Sequence, residues 1–347
     1  MKRLFVLIRD KLGDTVIAFQ GLAAYRAMHP QDEITVMVHA HYLPLIEHEP
    51  GYRFVPYTSS LQAMLWAWRQ RIFGRPYDAL LVLRGFGKKV GRLARILPAK
   101  KRIHFLSRMP DIFQASPPAL APEEDARQTL IDPVVRALRQ VSPGLHSPQA
   151  LVLPALSARR THSRHVVVCP VTDEVRKNIS PADVASMLPG IRGRHPGMPI
   201  RILVRATGEQ GFEVGKPILG ADVLAFGSIS GLLQELSEAA YYYGADTGLY
   251  HVAAAMGIPA LVFFGPTQPY KVMLPGQDAW AVRLQTLGQD HCEMKGCKTP
   301  VCLQNAILLW SGGSPATSKY PEQCPLRAKE ASAEIMEARP TQFAETA

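Results

Sequence analysis

The sequence predicts an α/β protein of two Rossmann-like domains facing each other across a cleft. Three observations point there. At 347 residues the chain exceeds what one core usually holds. Short β-prone apolar runs alternate with helically spaced ones in both halves, as in parallel sheets covered by helices. Between the halves, Val141 to Arg164 (VSPGLHSPQALVLPALSARRTHSR) is rich in Pro, Ser and His and has no sustained period, which marks a linker. Domains are therefore expected over 1–155 and 156–327, followed by a charged, weakly helical tail over 328–347.

Arg3 to Ile8 (RLFVLI) is a strand, and the polar loop Arg9-Asp10-Lys11-Leu12-Gly13-Asp14 follows it. From Thr15 to Met28, Val16, Phe19, Leu22, Ala23 and Ala27 recur at helical spacing until Pro30. Ile34 to Val38 completes a βαβ unit, and Ala79 to Leu83 and Ile103 to Leu106 are further strands. The second half opens with the strand Val166 to Cys169. Ser180-Pro181-Ala182-Asp183 then announces a helix, with Ser as N-cap, Pro in the first turn and an acid at the third position. Strands follow at Ile200 to Val204 and Val223 to Phe226, then a helix from about Ser230 to Ala240. Tyr241 to Tyr243 is a strand, Thr247 to Met256 a helix closed by Gly257, and Ala260 to Phe264 a strand.

A hydrophobic fraction of 47% with 20% charged residues excludes global disorder and collagen-like repeats. No stretch has the roughly 18 uncharged apolar residues of a spanning helix, and the start carries no small-residue cleavage site, so a cytoplasmic protein is expected. The net charge of +10 is concentrated. Twelve basic residues lie between Arg69 and Arg108 against the single acid Asp78, so the rest of the chain is close to neutral. Such a segment suits an anionic partner, whether nucleic acid, phospholipid or an acidic sugar. Trp66 and Trp68 just before it suit either a membrane interface or the core.

The strongest local signal is Gly244-Ala245-Asp246-Thr247-Gly248-Leu249-Tyr250-His251, a direct passage from strand to helix. Such corners face the ligand crevice in α/β sheets. With Asp246 as cap, the amides of Thr247, Gly248 and Leu249 are free donors at the positive end of the helix dipole, where a diphosphate fits. His251 lies about one turn into the helix, on the side of the same anion.

Ala245-Asp246-Thr247-Gly248, His251-Val252-Ala253-Ala254-Ala255, Gly257-Ile258-Pro259 and Phe264-Gly265-Pro266-Thr267 together resemble the donor-site signature of family-9 glycosyltransferases. These are the ADP-heptose:lipopolysaccharide heptosyltransferases and their relatives. Leu12-Gly13-Asp14 after the first strand, Tyr77 to Gly85, and Lys177 before the Pro181 helix fit the same family, and the resemblance spans approximately residues 1–310. It implies a GT-B architecture, with an acceptor domain first and a nucleotide-sugar domain second, and transfer with inversion at the anomeric carbon. It implies Asp14 as the base and Lys177 and Thr172 as contacts to the donor phosphates. Glu209 and Ile229 are then expected at the nucleoside, and Arg84, Lys88, Lys89 and Arg92 at an acidic lipopolysaccharide-core acceptor at the inner face of the inner membrane. Asn178-Ile179-Ser180-Pro181 departs from the family's lysine-x-tryptophan-proline pattern.

Cys292, Cys297, Cys302 and Cys324 are spaced C-x4-C-x4-C-x21-C, and four thiolates can close a structural zinc or iron site. Free thiols are the alternative, and no cofactor is required for the chemistry. A related transferase with another nucleotide-sugar or a protein acceptor remains open, as does a non-enzymatic anion or nucleic-acid binder. The basic segment favours the latter, but it carries no recognised nucleic-acid module and leaves Asp14 and the D-T-G corner without a role.

Overall fold

The computed structural model describes residues 1–9, 11–85, 87–105, 113, 128–148, 152–205, 211–265, 267–274, 276–284, 301–314 and 333–337. The chain forms two compact units, Met1–Ala158 and Arg159–Ala347.

The first unit is built on a five-stranded parallel sheet of order β3-β2-β1-β4-β5. Its strands are β1 (Arg3–Ile8), β2 (Glu33–His39), β3 (Tyr52–Tyr57), β4 (Tyr77–Arg84) and β5 (Ala99–His104). β1 sits in the middle, and its apolar run is buried from Leu4 to Ile8, as a strand covered on both faces requires. β3 is an edge strand, where Pro56 costs no ladder hydrogen bond. The helices are α1 (Leu12–Met28), α2 (Ser60–Phe73), α3 (Lys88–Ile96), α4 (Asp132–Arg139) and the single turn α5 (Pro154–Ser157). α1 packs on α4 closely enough that a Cβ at Gly21 would lie 2.6 Å from Val134 Cγ1.

The second unit carries a seven-stranded sheet of order β12-β11-β10-β9-β6-β7-β8. The strands are β6 (His165–Cys169), β7 (Ile200–Arg205), β8 (Asp222–Phe226), β9 (Ala239–Ala245), β10 (Ala260–Phe263), β11 (Ala279–Leu284) and β12 (Ala333–Glu337). The helices are α6 (Pro181–Arg194), α7 (Ile229–Ser237), α8 (Gly248–Ala255), the short α9 (Pro269–Val272) and α10 (Val301–Trp310). Ser180 and Asp183 close a capping box on α6, as their spacing predicts. The tail departs from expectation. Ala333–Glu337 is a strand, not a helix, and pairs antiparallel with β11, whose outer edge is otherwise open.

The basic segment is less of a free positive field than its composition implies. Arg71 and Arg102 donate to carbonyls at the C-terminal end of α3, where cations suit the dipole. Lys100 pairs with Asp78, Lys101 donates to Gln140 O, and Arg84 is buried. Arg69, Arg75, Lys88, Lys89, Arg92 and Arg95 remain exposed. Arg108 lies outside the described residues. Trp66 stacks on Phe5 at 5.5 Å and belongs to the core, whereas Trp68 is half exposed.

Both sheets reverse their winding order once. In the first, the chain moves outward through β1, β2 and β3, then restarts on the other side of β1 with β4 and β5. In the second, β6, β7 and β8 run one way and β9, β10 and β11 the other. Ligands of open α/β sheets bind beyond the carboxyl ends of the strands at such reversals.

Candidate functional site

At the reversal of the first sheet the Arg9 amide donates to Arg84 O, tying the ends of β1 and β4. Gly85 follows at φ +101, and a Cβ there would meet Arg9 O at 2.5 Å, so the crossing excludes every other residue. Arg84 Nη1 lies 3.1 Å from Asp14 Oδ1. The Arg84 side chain is 9% exposed and that of Asp14 25%. The guanidinium also donates to Leu130 O and lies 5.5 Å from the centre of the Phe105 ring. Asp14 is the third residue of α1, in its first turn, and Lys11 occupies the N-cap position.

Arg84, expected at the acceptor, is a buried partner of Asp14, because the end of β4 points it into the crevice beside β1. Lys88, Lys89 and Arg92 lie on the solvent side of α3, whose Val90, Leu93 and Ala94 face the core. A neighbouring cavity of about 410 Å³ is lined by Arg9, His39, His41, Tyr42, Tyr57, Thr58, Ser59 and Ser60. It opens beyond the ends of β1, β2 and β3 and has no acid among the described residues that line it. Arg9 Nη2 donates to Ser60 Oγ at 2.9 Å. His39 Nδ1 accepts the His41 amide, so in the neutral ring Nε2 carries the proton. This cavity escaped the sequence reading because its residues come from three separate strand ends.

At the reversal of the second sheet, Lys177 Nζ lies 2.6 Å from Asp246 Oδ2 across 69 residues of sequence. Lys177 ends a single 3-10 turn, Val175–Lys177, in the loop after β6. Asp246 directly follows β9, the strand paired with β6. Cys169 and Gly244 are register partners there, and a Cβ on Gly244 would lie 2.7 Å from both Cys169 O and Tyr242 Oη. The Lys177 side chain is 16% exposed and that of Asp246 8%. Behind them, burial pushes the hydroxyls of Tyr242 and Tyr250 up, and the Asp246 charge adds in the same direction. Both phenols are therefore neutral at physiological pH.

The helix cap is a correction. Thr247, not Asp246, is the N-cap of α8, with its Oγ1 accepting the Leu249 amide at 2.9 Å. Asp246 is drawn to Lys177 instead, and Thr247 supplies an equivalent capping oxygen one residue later. The Tyr250 amide bonds back to Thr247 O, which leaves the Gly248 amide as a donor at the helix's positive end among the described residues. His251 is 4% exposed and packs on Tyr250 at 5.3 Å, inside the unit and away from open solvent.

Thr172 is buried in its own turn: the hydroxyl donates to Glu174 O and accepts the Glu174 amide. A phosphate contact would require that donor to be released. Asn178 Oδ1 accepts the Thr172 amide at 2.6 Å and Ile179 fills the core, so the unusual 178–181 segment closes the loop that carries Lys177. Ile229 begins α7 and is 6% exposed. Glu209 lies outside the described residues, as do Cys292, Cys297 and Cys324; Cys302 is buried on α10. Among the described residues, no group of three or more His, Cys, Asp or Glu is placed to hold a metal ion. Among them, too, no helix is long and apolar enough to cross a membrane.

Residues 214–302, which include β9, Asp246 and α8, match the family model of glycosyltransferase family 9 (heptosyltransferase). No curated protein matches the chain. Solved structures share the fold. The E. coli heptosyltransferase WaaC with ADP superposes with a TM-score of 0.65 at 16% identity, over 80% of this chain and 92% of that one. E. coli ADP-heptose lps heptosyltransferase II gives 0.62 at 17% identity, over 90% and 98%. A family-9 glycosyl transferase from Veillonella parvula gives 0.62 at 15%, over 81% and 85%. Residues 214–302 thus match the family-9 model, and the two parallel-sheet domains share the GT-B fold of these heptosyltransferase structures.

Proposed function

We propose that the protein is an inverting glycosyltransferase that moves a heptose from ADP-heptose to an acidic lipopolysaccharide-core acceptor. The observation that carries this reading is the Lys177–Asp246 pair at the reversal of the second sheet, beside the start of α8. Asp246 takes one of the three ammonium protons and Glu174 Oε1 lies 4.0 Å away, beyond hydrogen-bond reach, so among the described residues two protons remain for a diphosphate. The Gly248 amide and the helix dipole add to that field. The solved E. coli relative binds ADP and ADP-2-deoxy-2-fluoro heptose, which supports an adenosine diphosphate donor here.

In the reaction, Asp14 removes the proton of the attacking acceptor hydroxyl while that oxygen bonds to the anomeric carbon. The bond from that carbon to the diphosphate oxygen breaks on the opposite face, and its electron pair leaves with ADP. Lys177 and Gly248 stabilise the charge developing on the leaving group. The step draws on side chains and backbone amides alone. On the acceptor side, Lys88 and Lys89 occupy the first turn of α3, where like charge opposes the dipole by about 0.3–1 kcal/mol each. A bound anion relieves that cost. Arg9 in the neighbouring cavity supplies a further cation for an acidic sugar.

Binding of nucleotide-sugars raises the melting temperature by mass action, so a thermal-shift screen tests the donor. ADP-heptose is expected to stabilise the protein more than UDP-, GDP- or dTDP-sugars. A preference for another nucleotide overturns the donor assignment, and no response to any of them overturns the transferase reading.

A further inference from the structure

The loop that carries Lys177 already holds an anion, and it is one of its own. Glu174 Oε2 accepts from Arg176 Nε and lies 3.0 Å from Arg176 Nη2 as well. Glu174 Oε1 faces Lys177 Nζ at 4.0 Å, within reach of charge attraction but not of a hydrogen bond. One carboxylate thus sits against two neighbouring cations at the reversal of the second sheet. A guanidinium beside an ammonium suits a phosphate group equally well, since the guanidinium fork grips phosphate as it grips carboxylate. The other acid of the loop, Asp173, pairs with Arg205 at the end of β7.

Charge and exposure decide which anion can leave. Asp246 and Glu174 together cancel Lys177 and Arg176, so these four side chains offer a diphosphate no net positive charge while both acids are in place. Asp246 is 8% exposed, and its withdrawal would leave a buried charge without a partner. Glu174 is 42% exposed, against 21% for Arg176 and 16% for Lys177. Water can therefore take over its carboxylate, while the two cations keep needing a counter-ion. The main chain need not move: the Glu174 amide and carbonyl stay on the Thr172 hydroxyl as the side chain swings. We propose that Glu174 is a built-in stand-in for a donor phosphate, which the diphosphate displaces to take Arg176 as a second cation beside Lys177. After transfer the returning carboxylate competes with ADP for both cations and favours its release. The inference rests on the donor site of the transferase reading and adds two residues to it, Glu174 and Arg176.

Full-length protein is titrated with ADP by isothermal calorimetry at fixed ionic strength. Glu174→Gln, which keeps the main-chain bonds to Thr172, should bind ADP about three- to tenfold more tightly, the worth of one charge removed from a partly exposed site. Adenosine, which brings no phosphate, should bind both forms alike. Arg176→Gln should weaken ADP binding about three- to tenfold. The opposite signs separate displacement from a structural role, since an ion pair that merely braces the loop predicts a loss in both variants. Where the parent binds ADP, three results overturn the proposal and leave the donor reading standing: equal or weaker ADP binding by Glu174→Gln, unchanged binding by Arg176→Gln, or an equal gain for adenosine. ADP binding by neither the parent nor Glu174→Gln overturns both.

Discussion

Lys177→Met removes the ammonium from beside Asp246 while keeping much of the side-chain volume. Breaking a buried pair costs about 3–5 kcal/mol, because the remaining charge stays in a poorly solvated site. Lys177 is 16% exposed, so some water reaches the gap, and we expect a smaller cost than that, about 2–3 kcal/mol. In a domain of this size each kcal/mol lowers Tm by about 2–4 °C, giving a fall of about 4–12 °C. Asp246→Asn leaves the more exposed partner, which hydration accommodates, and costs about 1–2 kcal/mol. Lys177→Met/Asp246→Asn leaves neither member of the pair charged, and its Tm should exceed that of Lys177→Met by several degrees. ADP affinity and transfer behave differently: both variants that lack Lys177 should lose about 100-fold in transfer, the worth of one transition-state contact. Thermal unfolding with and without ADP reads stability and ADP binding, and a transfer assay reads turnover. If Lys177→Met melts within a degree of the parent and binds ADP equally well, the pair is a surface contact and the donor site lies elsewhere.

Asp14→Asn should reduce transfer by about 100-fold or more while ADP affinity stays within a few fold, the signature of a lost base; unchanged turnover removes Asp14 from the mechanism. Arg84→Gln should lower kcat with little change in ADP affinity, because the guanidinium positions Asp14, and a collapse of ADP binding would contradict that. Gly244→Ala should destabilise by about 1–3 kcal/mol, since the added methyl meets Cys169 O and Tyr242 Oη at 2.7 Å; a neutral Tm would refute the close crossing. Burial, then the positive charge of Arg201, lowers the pKa of His165, and burial, then Arg194, lowers that of His195. Their contribution to stability is complete above the usual value of 6.5 and is lost as pH falls from there through the lowered values. Tm should therefore decline on acidification below about pH 6.5, and less steeply in His165→Gln.

The central strands were legible because they are short apolar runs closed by polar loops, which is what burial on both faces demands of β1, β6 and β9. The Ser180 cap was legible because capping is local chemistry. α2 escaped notice because apolar residues on two opposite faces cancel the periodicity that signals a helix. β3 was hidden by Arg53 and Pro56, which only an edge position tolerates. Asp14, Lys177 and Asp246 were each visible by resemblance, but their partners were not. Nothing in the sequence near Asp14 points to Arg84, which its place after the Ala79 strand and the resemblance assigned to the acceptor. Sheet order joined them, because it brings the ends of β1 and β4, and of β6 and β9, side by side.

The two reversals carry the same device with opposite polarity. In the first unit the acid follows β1 and the cation ends β4; in the second the cation follows β6 and the acid follows β9. In each pair the partner from the end of the later strand is the more buried, Arg84 at 9% against Asp14 at 25%, and Asp246 at 8% against Lys177 at 16%. A buried ion needs a counter-ion, and here the counter-ion is the more solvent-exposed group of each pair. The first sheet thereby presents a carboxylate and the second an ammonium. Proton removal from an acceptor requires one, and departure of a diphosphate requires the other. Exchanging Lys177 for Asp and Asp246 for Lys would preserve the salt bridge while presenting the wrong sign to the leaving group. Such a variant is expected to fold near the parent's Tm and to bind ADP far more weakly. Retained ADP affinity in that well-folded variant would show that the polarity of the pair is irrelevant to the ligand.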